Sequence, residues 1–374
     1  MEQKRIDVGC YYFPNYHRND ERNAQVHGPG WSEWELVKQA LPRFEGHYQP
    51  FRPVWGYVDE SLPEVMERKI AAAADHGIDY FIFDYYYYDD GTFLENCLNQ
   101  GFLPARNVNR IKFCLMWANH NWMDIHPCSR SNRKMLYPGT VTRESFRKLG
   151  ARLIDRFFSH PSYYCIDGAP VFSIYDLGSL LRSFGGVEEA KTMLDELRSM
   201  VRAAGFPALH LNAVIWGRPI LPGEERLIQL PELVRKLGFD SATSYVWVHH
   251  VGLEQRETPY RSVFERYLEF WESVLQEYDL PYFPNVTVGW DSSPRTIMSE
   301  VWEPVGYPYG NLMGDNTPAN FEAALREVRR RLENGPVRTF NINCWNEWTE
   351  GSMLEPEARH GYGYLEAIRR TFPR

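Results

Sequence analysis

Glu347 and Glu350 lie three apart in the run Trp345-Asn-Glu-Trp-Thr-Glu-Gly351, and they are the side chains best placed to do chemistry. One helical turn through this stretch would put both carboxylates on one face, with Cβ atoms about 5–6 Å apart. Acids on that scale can serve a single bond. A protonated carboxyl gives the leaving oxygen its proton, and a carboxylate acts as nucleophile or base. A hydrophobic wall such as Trp348 would hold one acid protonated while the other ionises. The plainer reading is an exposed turn with two solvated acids. Against it stands the make-up of the turn: a mere connection uses Gly, Asn or Ser, not two acids, an amide and two indoles.

The elements that must position these acids follow from the apolar patterning. Strands are expected at Asp7–Phe13, Ile78–Tyr86, Ile111–Met116, Pro170–Tyr175, Leu209–Ile215, Ser241–Tyr245, Asn285–Val288 and Phe340–Cys344. Helices are expected at Ser61–His76, Phe93–Gly101, Thr142–Ser159, Val187–Ala204, Leu230–Leu237, Tyr260–Glu277, Ala319–Glu333 and Tyr362–Arg370. Ser61 is the candidate N-cap of the first of these, with Gly77 after its end. Alternating strands and helices imply a parallel sheet, and eight such units closing on themselves give a (β/α)8 barrel. No Gly/Ser linker, composition break or repeat divides the chain, so residues 1–374 are expected to form one barrel domain with long loops around its site. A doubly wound open sheet is the alternative, but no Gly-x-Gly-x-x-Gly opens a helix after an early strand.

In such barrels the functional face is the C-terminal end of the strands, and the unusual residues gather there. Tyr12, Tyr16, His17 and Trp34 follow strand one; Asp84 and Tyr86 end strand two. Trp117, Asn119, His120, Asn121 and Trp122 follow strand three, Trp216 follows strand five, and Tyr245 ends strand six. Trp290, Asp291 and Arg295 follow strand seven; Asn346 and Trp348 sit beside the two acids. Chance would scatter Trp and Asn over both ends. Some members have a second reading: Asp84 as a satisfied buried acid, Arg295 as a partner of Asp291 alone, Asn119 and Asn121 as turn formers. His249-His250 reads as a surface pair. His120 reads as a rim residue rather than a ligand, and no His, Asp or Glu grouping has convincing metal spacing, so neither metal nor other cofactor is expected.

Bulk composition narrows the partners. Forty-one basic against 49 acidic residues leave a net charge of −8 without a basic block, which disfavours nucleic acid and anionic membrane. Twelve Trp, 23 Tyr and 21 Phe make 15% of the chain aromatic, enough to stack on sugar rings or simply to fill a core. The six cysteines are scattered, with Cys10, Cys114 and Cys344 inside expected strands, and read as reduced core residues. The first residues lead into strand-like sequence without a signal-peptide core, and no run is long enough to span a bilayer. A cytoplasmic location is the default expectation. No Gly-x-Ser-x-Gly elbow or P-loop is present, which disfavours Ser hydrolysis and phosphoryl transfer.

A polar, acid-bearing, indole-lined barrel mouth fits carbohydrate chemistry, and several blocks carry a resemblance that agrees. Tyr11-Tyr-Phe-Pro-Asn-Tyr-His17, Trp31-Ser-Glu-Trp34, Gly46-His-Tyr-Gln-Pro50, Gly77-Ile-Asp79, Trp117-Ala-Asn119, Asn121-Trp122, Trp345–Gly351 and Leu354-Glu-Pro356 resemble the WbsX-type proteins. That group is often labelled as glycosyltransferases of surface-polysaccharide loci and is similar to glycoside hydrolase family 99. The resemblance runs over nearly the whole chain. It implies a (β/α)8 barrel and metal-free, retaining action on α-linked mannose-like sugars. It also implies Glu350 as general acid/base and Glu347 as the base that draws the proton from the sugar 2-hydroxyl, whose oxygen then attacks C1. The chain departs from the WbsX-type pattern at His120, where Glu is usual, and at Asp84 with Tyr85–Tyr88, where a Tyr/Trp run is usual.

A retaining glycoside hydrolase acting on an oligosaccharide or polysaccharide is therefore the expected function. The alternatives are a polysaccharide-building glycosyltransferase and an inactive glycan-binding barrel. The transferase would need a donor site, and neither a phosphate-cradling loop nor an Asp-x-Asp motif is present. The inactive barrel would gain little from two intact acids, because a buried, unpaired carboxyl is costly.

Overall fold

The computed structural model describes residues 5–131 and 133–374; Met1–Lys4, part of the stretch read for location, lie outside the described residues. The architecture is a (β/α)8 barrel. Its strands are β1 (Asp7–Tyr12), β2 (Tyr80–Tyr88), β3 (Lys112–Trp117), β4 (Ala169–Ile174), β5 (His210–Val214) and β6 (Ser241–Thr243). A two-piece β7 (Tyr282–Phe283 and Asn285–Thr287) and β8 (Thr339–Asn343) complete the set. All pair in parallel with their neighbours, and β1 lies between β2 and β8.

Closure runs through the broken seventh strand. Tyr282–Phe283 pairs with β6 and Asn285–Thr287 pairs with β8. Pro284 separates the two pieces because it has no N–H to give a ladder. Its carbonyl still accepts from Asn341 N–H at 2.9 Å, so the strand serves both sides.

Strand β2 is buried at every position, as a strand covered on both faces should be. The alternation expected in β8 is real. Phe340 points outward against Phe372, ring centroids 5.0 Å apart. Asn341 points into the barrel, where its Oδ1 accepts from Tyr80 Oη at 2.9 Å and its Nδ2 donates to Thr243 at 2.9 Å. Neighbouring Asn212 donates to Ser241 at 2.7 Å. The interior thus holds a layer of polar side chains that satisfy one another, the arrangement a low-dielectric core demands.

Departures from the expected elements have local causes. Ser61 does not cap the helix Pro63–Asp75; Leu62 holds the cap position, and the Ser61 hydroxyl bonds Asp59 at 2.7 Å instead. The expected helix at Phe93–Gly101 is a short strand, Gly91–Phe93, folded back on β2, followed by a wide π-type turn, Cys97–Phe102. A further helix, Leu177–Phe184, lies outside the expected set; Asp176 caps it by accepting from Ser179 N–H at 3.0 Å. The long connection after β1 is ordered and carries two short helices, Glu21–His27 and Trp34–Gln39.

Gly9 of β1 faces the barrel interior, and a Cβ there would run into the Tyr80 ring and the Asn341 side chain. Gly9→Ala is expected to cost about 1–3 kcal/mol, the range for overpacking a filled core, read as a lower denaturation midpoint with an unchanged slope. An unchanged midpoint would show that the interior layer yields freely.

Candidate active site

The chain leaving β8 makes a two-residue strand, Asn346–Glu347, then a single 3-10 turn, Trp348–Glu350, then a strand, Ser352–Met353, that pairs back on the first. Gly351 makes this return possible with φ 65°, and a Cβ there would meet the backbone of Asp291 at 2.9 Å. The turn carries Glu347 and Glu350 to one side, both nearly inaccessible at 3% and 5% exposure.

One cation holds them. Arg295, in the loop after β7, gives Nη1 to Glu350 at 2.6 Å and Nη2 to Glu347 at 3.2 Å. Its Nε donates to a third acid, Glu33, at 2.9 Å. Tyr307 Oη also donates to Glu350, at 2.7 Å. On the other side Tyr245 Oη donates to Asp84 Oδ2 at 2.9 Å and lies 3.4 Å from Glu347 Oε1. Three carboxylates around one buried guanidinium exceed what it can neutralise, so ionising all of them is costly. Burial raises Glu347 well above the ordinary carboxylate range, and the neighbouring Glu350 charge raises it further against the pull of Arg295. Burial also raises Glu350, with Arg295 and Tyr307 opposing. Asp84 is raised well above its usual range by burial. For Arg295, burial works against the charge, but Glu33, Tyr307, Glu350 and Glu347 outweigh it and raise its pKa. The site can therefore hold a carboxyl proton above the ordinary carboxylate range beside an ionised acid, which is the equipment of acid/base catalysis.

The acids open onto a pocket whose empty space, open mouth included, is about 660 Å³. Ten of the expected site residues line it: Asp84, Tyr86, His120, Asn121, Trp122, Tyr245, Trp290, Arg295, Glu347 and Glu350. Asp84 Oδ1 has no protein partner.

A profile described as Glycosyltransferase WbsX matches residues 8–368. The chain belongs to this family. An uncharacterised protein, WxcX, of Xanthomonas campestris pv. campestris (strain B100) is 28% identical over 377 residues, covering 98% of this chain and 49% of that protein. The chain thus spans about half the length of the curated relatives it matches. Among solved structures, the GH99 endo-alpha-mannosidase from Bacteroides thetaiotaomicron superposes with a TM-score of 0.56 at 13% identity, over 97% of this chain and 96% of that one. A protein described as glycoside hydrolase-like gives 0.59 at 16% identity, over 100% and 95%. At such identities these likenesses speak to the fold.

The other expected residues of this WbsX-family chain stand behind the pocket. Asn346 ties the β8 turn to β1, accepting from Phe13 N–H at 2.9 Å and donating to Phe13 O at 2.7 Å. Trp348, proposed as a wall beside the acids, is turned away from them. Its indole donates to Glu355 at 2.7 Å, its ring packs near Trp34, and its backbone N–H donates to Tyr16 Oη at 3.2 Å. Tyr12 donates to Glu60 at 2.8 Å. His17 is buried with Nδ1 2.9 Å from Asn19. Trp117 donates to Tyr87 O at 2.9 Å in the core, and Asn119 braces Asp176 through two 2.7 Å bonds. Trp216 donates to Tyr175 O at 3.2 Å. Asp291 pairs with His47 at 2.8 Å and Gln49 at 2.7 Å rather than with Arg295.

Several participants lie outside the expected set. Glu33 lies in the Trp31–Trp34 block, where its type was a usable signal; Tyr307 lies in an irregular loop with none. Tyr175, His126 and His249 also line the pocket. His249 is buried, contrary to the surface reading, and burial lowers it to about 4. Among the described residues no cluster of His, Cys, Asp or Glu is arranged to hold a metal ion, and no helix is long and apolar enough to cross a membrane.

The raised Glu347 carries a signature in stability. Its folded state holds a proton more tightly than the unfolded chain, so its contribution is full below the ordinary carboxylate range and is lost as pH rises through the raised value. Glu347→Gln removes that loss. The melting temperature of the variant, relative to wild type, is expected to climb as pH rises from about 4 through the raised value, by about 1–1.5 °C per kcal/mol relieved. A difference that stays flat across this range would show that Glu347 ionises without cost.

Proposed function

We propose that this chain is a retaining glycoside hydrolase acting on α-linked, mannose-like glycans, with Glu347 and Glu350 as its acid/base pair. The observation that carries the reading is the pairing itself: two buried acids on one guanidinium, both raised, at the C-terminal mouth of a barrel. The barrel likeness to a GH99 endo-alpha-mannosidase supports the substrate class.

In this reading Glu350 protonates the glycosidic oxygen as its bond to C1 breaks. Glu347 takes the proton of the 2-hydroxyl, and that oxygen bonds to C1 to give a 1,2-anhydro sugar. Water then opens this ring at C1, giving its proton to Glu350, while Glu347 returns a proton to the 2-oxygen; two inversions leave net retention. The route in which Glu347 itself bonds to C1 uses the same two residues. In the free site Arg295 and Tyr307 favour the ionised form of Glu350, so the shared proton rests on Glu347. Catalysis requires a bound sugar to shift it to Glu350, by bringing a 2-hydroxyl against Glu347.

The family description favours a second reading, a glycosyltransferase. A nucleotide-sugar donor would bring two phosphates to this mouth. Among the described residues lining the pocket Arg295 is the one Arg or Lys, and three acids already occupy it. That arrangement repels phosphate rather than binding it.

The deciding experiment is a time course of wild type and Glu350→Gln on α-mannose-type oligosaccharides without any nucleotide sugar. Release by wild type, with turnover cut about 10²–10⁴-fold or more in the variant, is the expected outcome, and NMR of the first-formed anomer tests retention. Equal turnover in the variant would sink the assignment, and release only after nucleotide sugar is added would favour the transferase. Trp122 stands on the pocket wall, stacked on His126 at 4.9 Å. Trp122→Ala is expected to raise KM about tenfold while kcat stays within about threefold; an unaltered KM would place this indole outside the substrate path.

A further inference from the structure

Beside its acids and aromatics, the pocket lining includes six aliphatic or thioether side chains: Met116, Met123, Ile125, Ile220, Leu221 and Val246. None of these side chains donates a hydrogen bond, and only the weak thioether sulfurs accept one. The wall is held in place: the Glu224 carboxylate accepts from the backbone N–H groups of Ile220 at 2.7 Å and Leu221 at 2.9 Å, and from Tyr175 Oη at 2.9 Å.

Some of the polar atoms around the pocket are engaged. His249 Nδ1 faces Arg218 O at 3.0 Å and its Nε2 faces Tyr175 Oη at 3.0 Å. Asn121 Oδ1 accepts from Gly139 N–H at 2.9 Å, and His120 Nδ1 faces Asn121 O at 2.9 Å. Burial lowers His120, His126 and His249, so all three are uncharged near neutral pH. Arg295 is taken up by its three acids. A ligand here meets no free cation among the described lining residues. Asn121 Nδ2, His120 Nε2 and Asp84 Oδ1 have no described partner and can take ring hydroxyls, but a hydroxyl set against the aliphatic side chains finds none, and each buried hydroxyl left without a partner weakens binding.

We infer that this wall seats the methyl group of a neutral methyl-bearing sugar, a 6-deoxyhexose or an acetylated hexose, in preference to the hydroxymethyl of mannose or the carboxylate of a uronic acid. The inference rests on the acids marking a glycan site, since that is what makes the occupant a sugar. A methyl group fills aliphatic surface and leaves nothing unpaired, whereas a hydroxyl in its place must give up water.

The test is calorimetric binding to Glu350→Gln, in which the amide keeps the shape of the site and silences turnover. The ligands are α-linked mannobiose and matched forms carrying a 6-deoxy, a 6-O-acetyl or a 6-carboxylate group, each made on either ring. At least one methyl-bearing form is expected to bind about tenfold tighter than mannobiose or more, and the carboxylate form no tighter than mannobiose. Preference for the 6-deoxy or the acetyl arm distinguishes the two sources of the methyl. Leu221→Asn in the same background should shrink the preference to within about threefold, and Met123→Gln, on a different loop, should do the same if Leu221→Asn disturbs its own. Mannobiose or its carboxylate form binding as tightly as both methyl forms, no binding by any ligand, or a preference untouched by both wall variants would each overturn the inference. Cleavage is read separately. A wild type that leaves every ligand intact while the binding preference holds would overturn the hydrolase reading and leave the wall standing.

Discussion

The arrangement depends on one buried cation. Arg295 is 4% exposed and meets Glu33, Glu347 and Glu350 at once. A guanidinium is suited to this because it is planar, permanently charged and has donors on several edges. It keeps the two pocket acids, Glu347 and Glu350, close enough to act on one ligand, while Glu33 behind them leaves the cluster short of compensating charge. That shortage keeps a proton within the cluster, because one positive charge cannot carry three negative ones out of water.

The scaffold brings these groups together from distant parts of the chain. Glu33 comes from the long loop after β1, and Thr349 of the β8 turn bonds it as well. Behind the turn lies a second buried ion cluster, in which Lys69 pairs with both Glu60 and Glu355. Burial opposes the Lys69 charge, but Glu355 and Glu60 outweigh it and raise its pKa. Glu355 in turn receives the indoles of Trp345 at 2.8 Å and Trp348 at 2.7 Å. Glu60 receives Tyr12 at 2.8 Å and Asn346 at 2.9 Å. These aromatics are anchors. They hold the turn that bears the acids, as a site built on exact geometry requires.

The Trp- and Tyr-rich composition is therefore divided between two tasks. Trp122, Trp290, Tyr86 and Tyr245 line the pocket, whereas Trp34, Trp117, Trp345 and Trp348 are sealed beneath it. Both sets lie near strand ends, so position along the chain does not separate them. What separates them is where the indole N–H finds its acceptor: Trp117 and Trp34 find backbone carbonyls, Trp345 and Trp348 find Glu355.

The eight-unit alternation, the strand positions and the collection of acids, amides and indoles at one end were legible in the sequence, because strand period and helix punctuation are local properties. The acid pair was legible too, since its spacing along one turn is local. Ser61, Asp176 and the Phe93–Gly101 stretch show where local rules compete: a side chain can cap, brace a neighbour or fold into a hairpin, and packing chooses. Only the tertiary structure decided that Arg295 serves Glu33, Glu347 and Glu350 rather than Asp291, that Tyr307 reaches Glu350, and that Trp348 faces away. Those pairings join residues dozens to hundreds of positions apart, and no spacing encodes them. The protonation of the acids likewise belongs to the folded state, because burial, its largest cause, exists only once the barrel has closed around them.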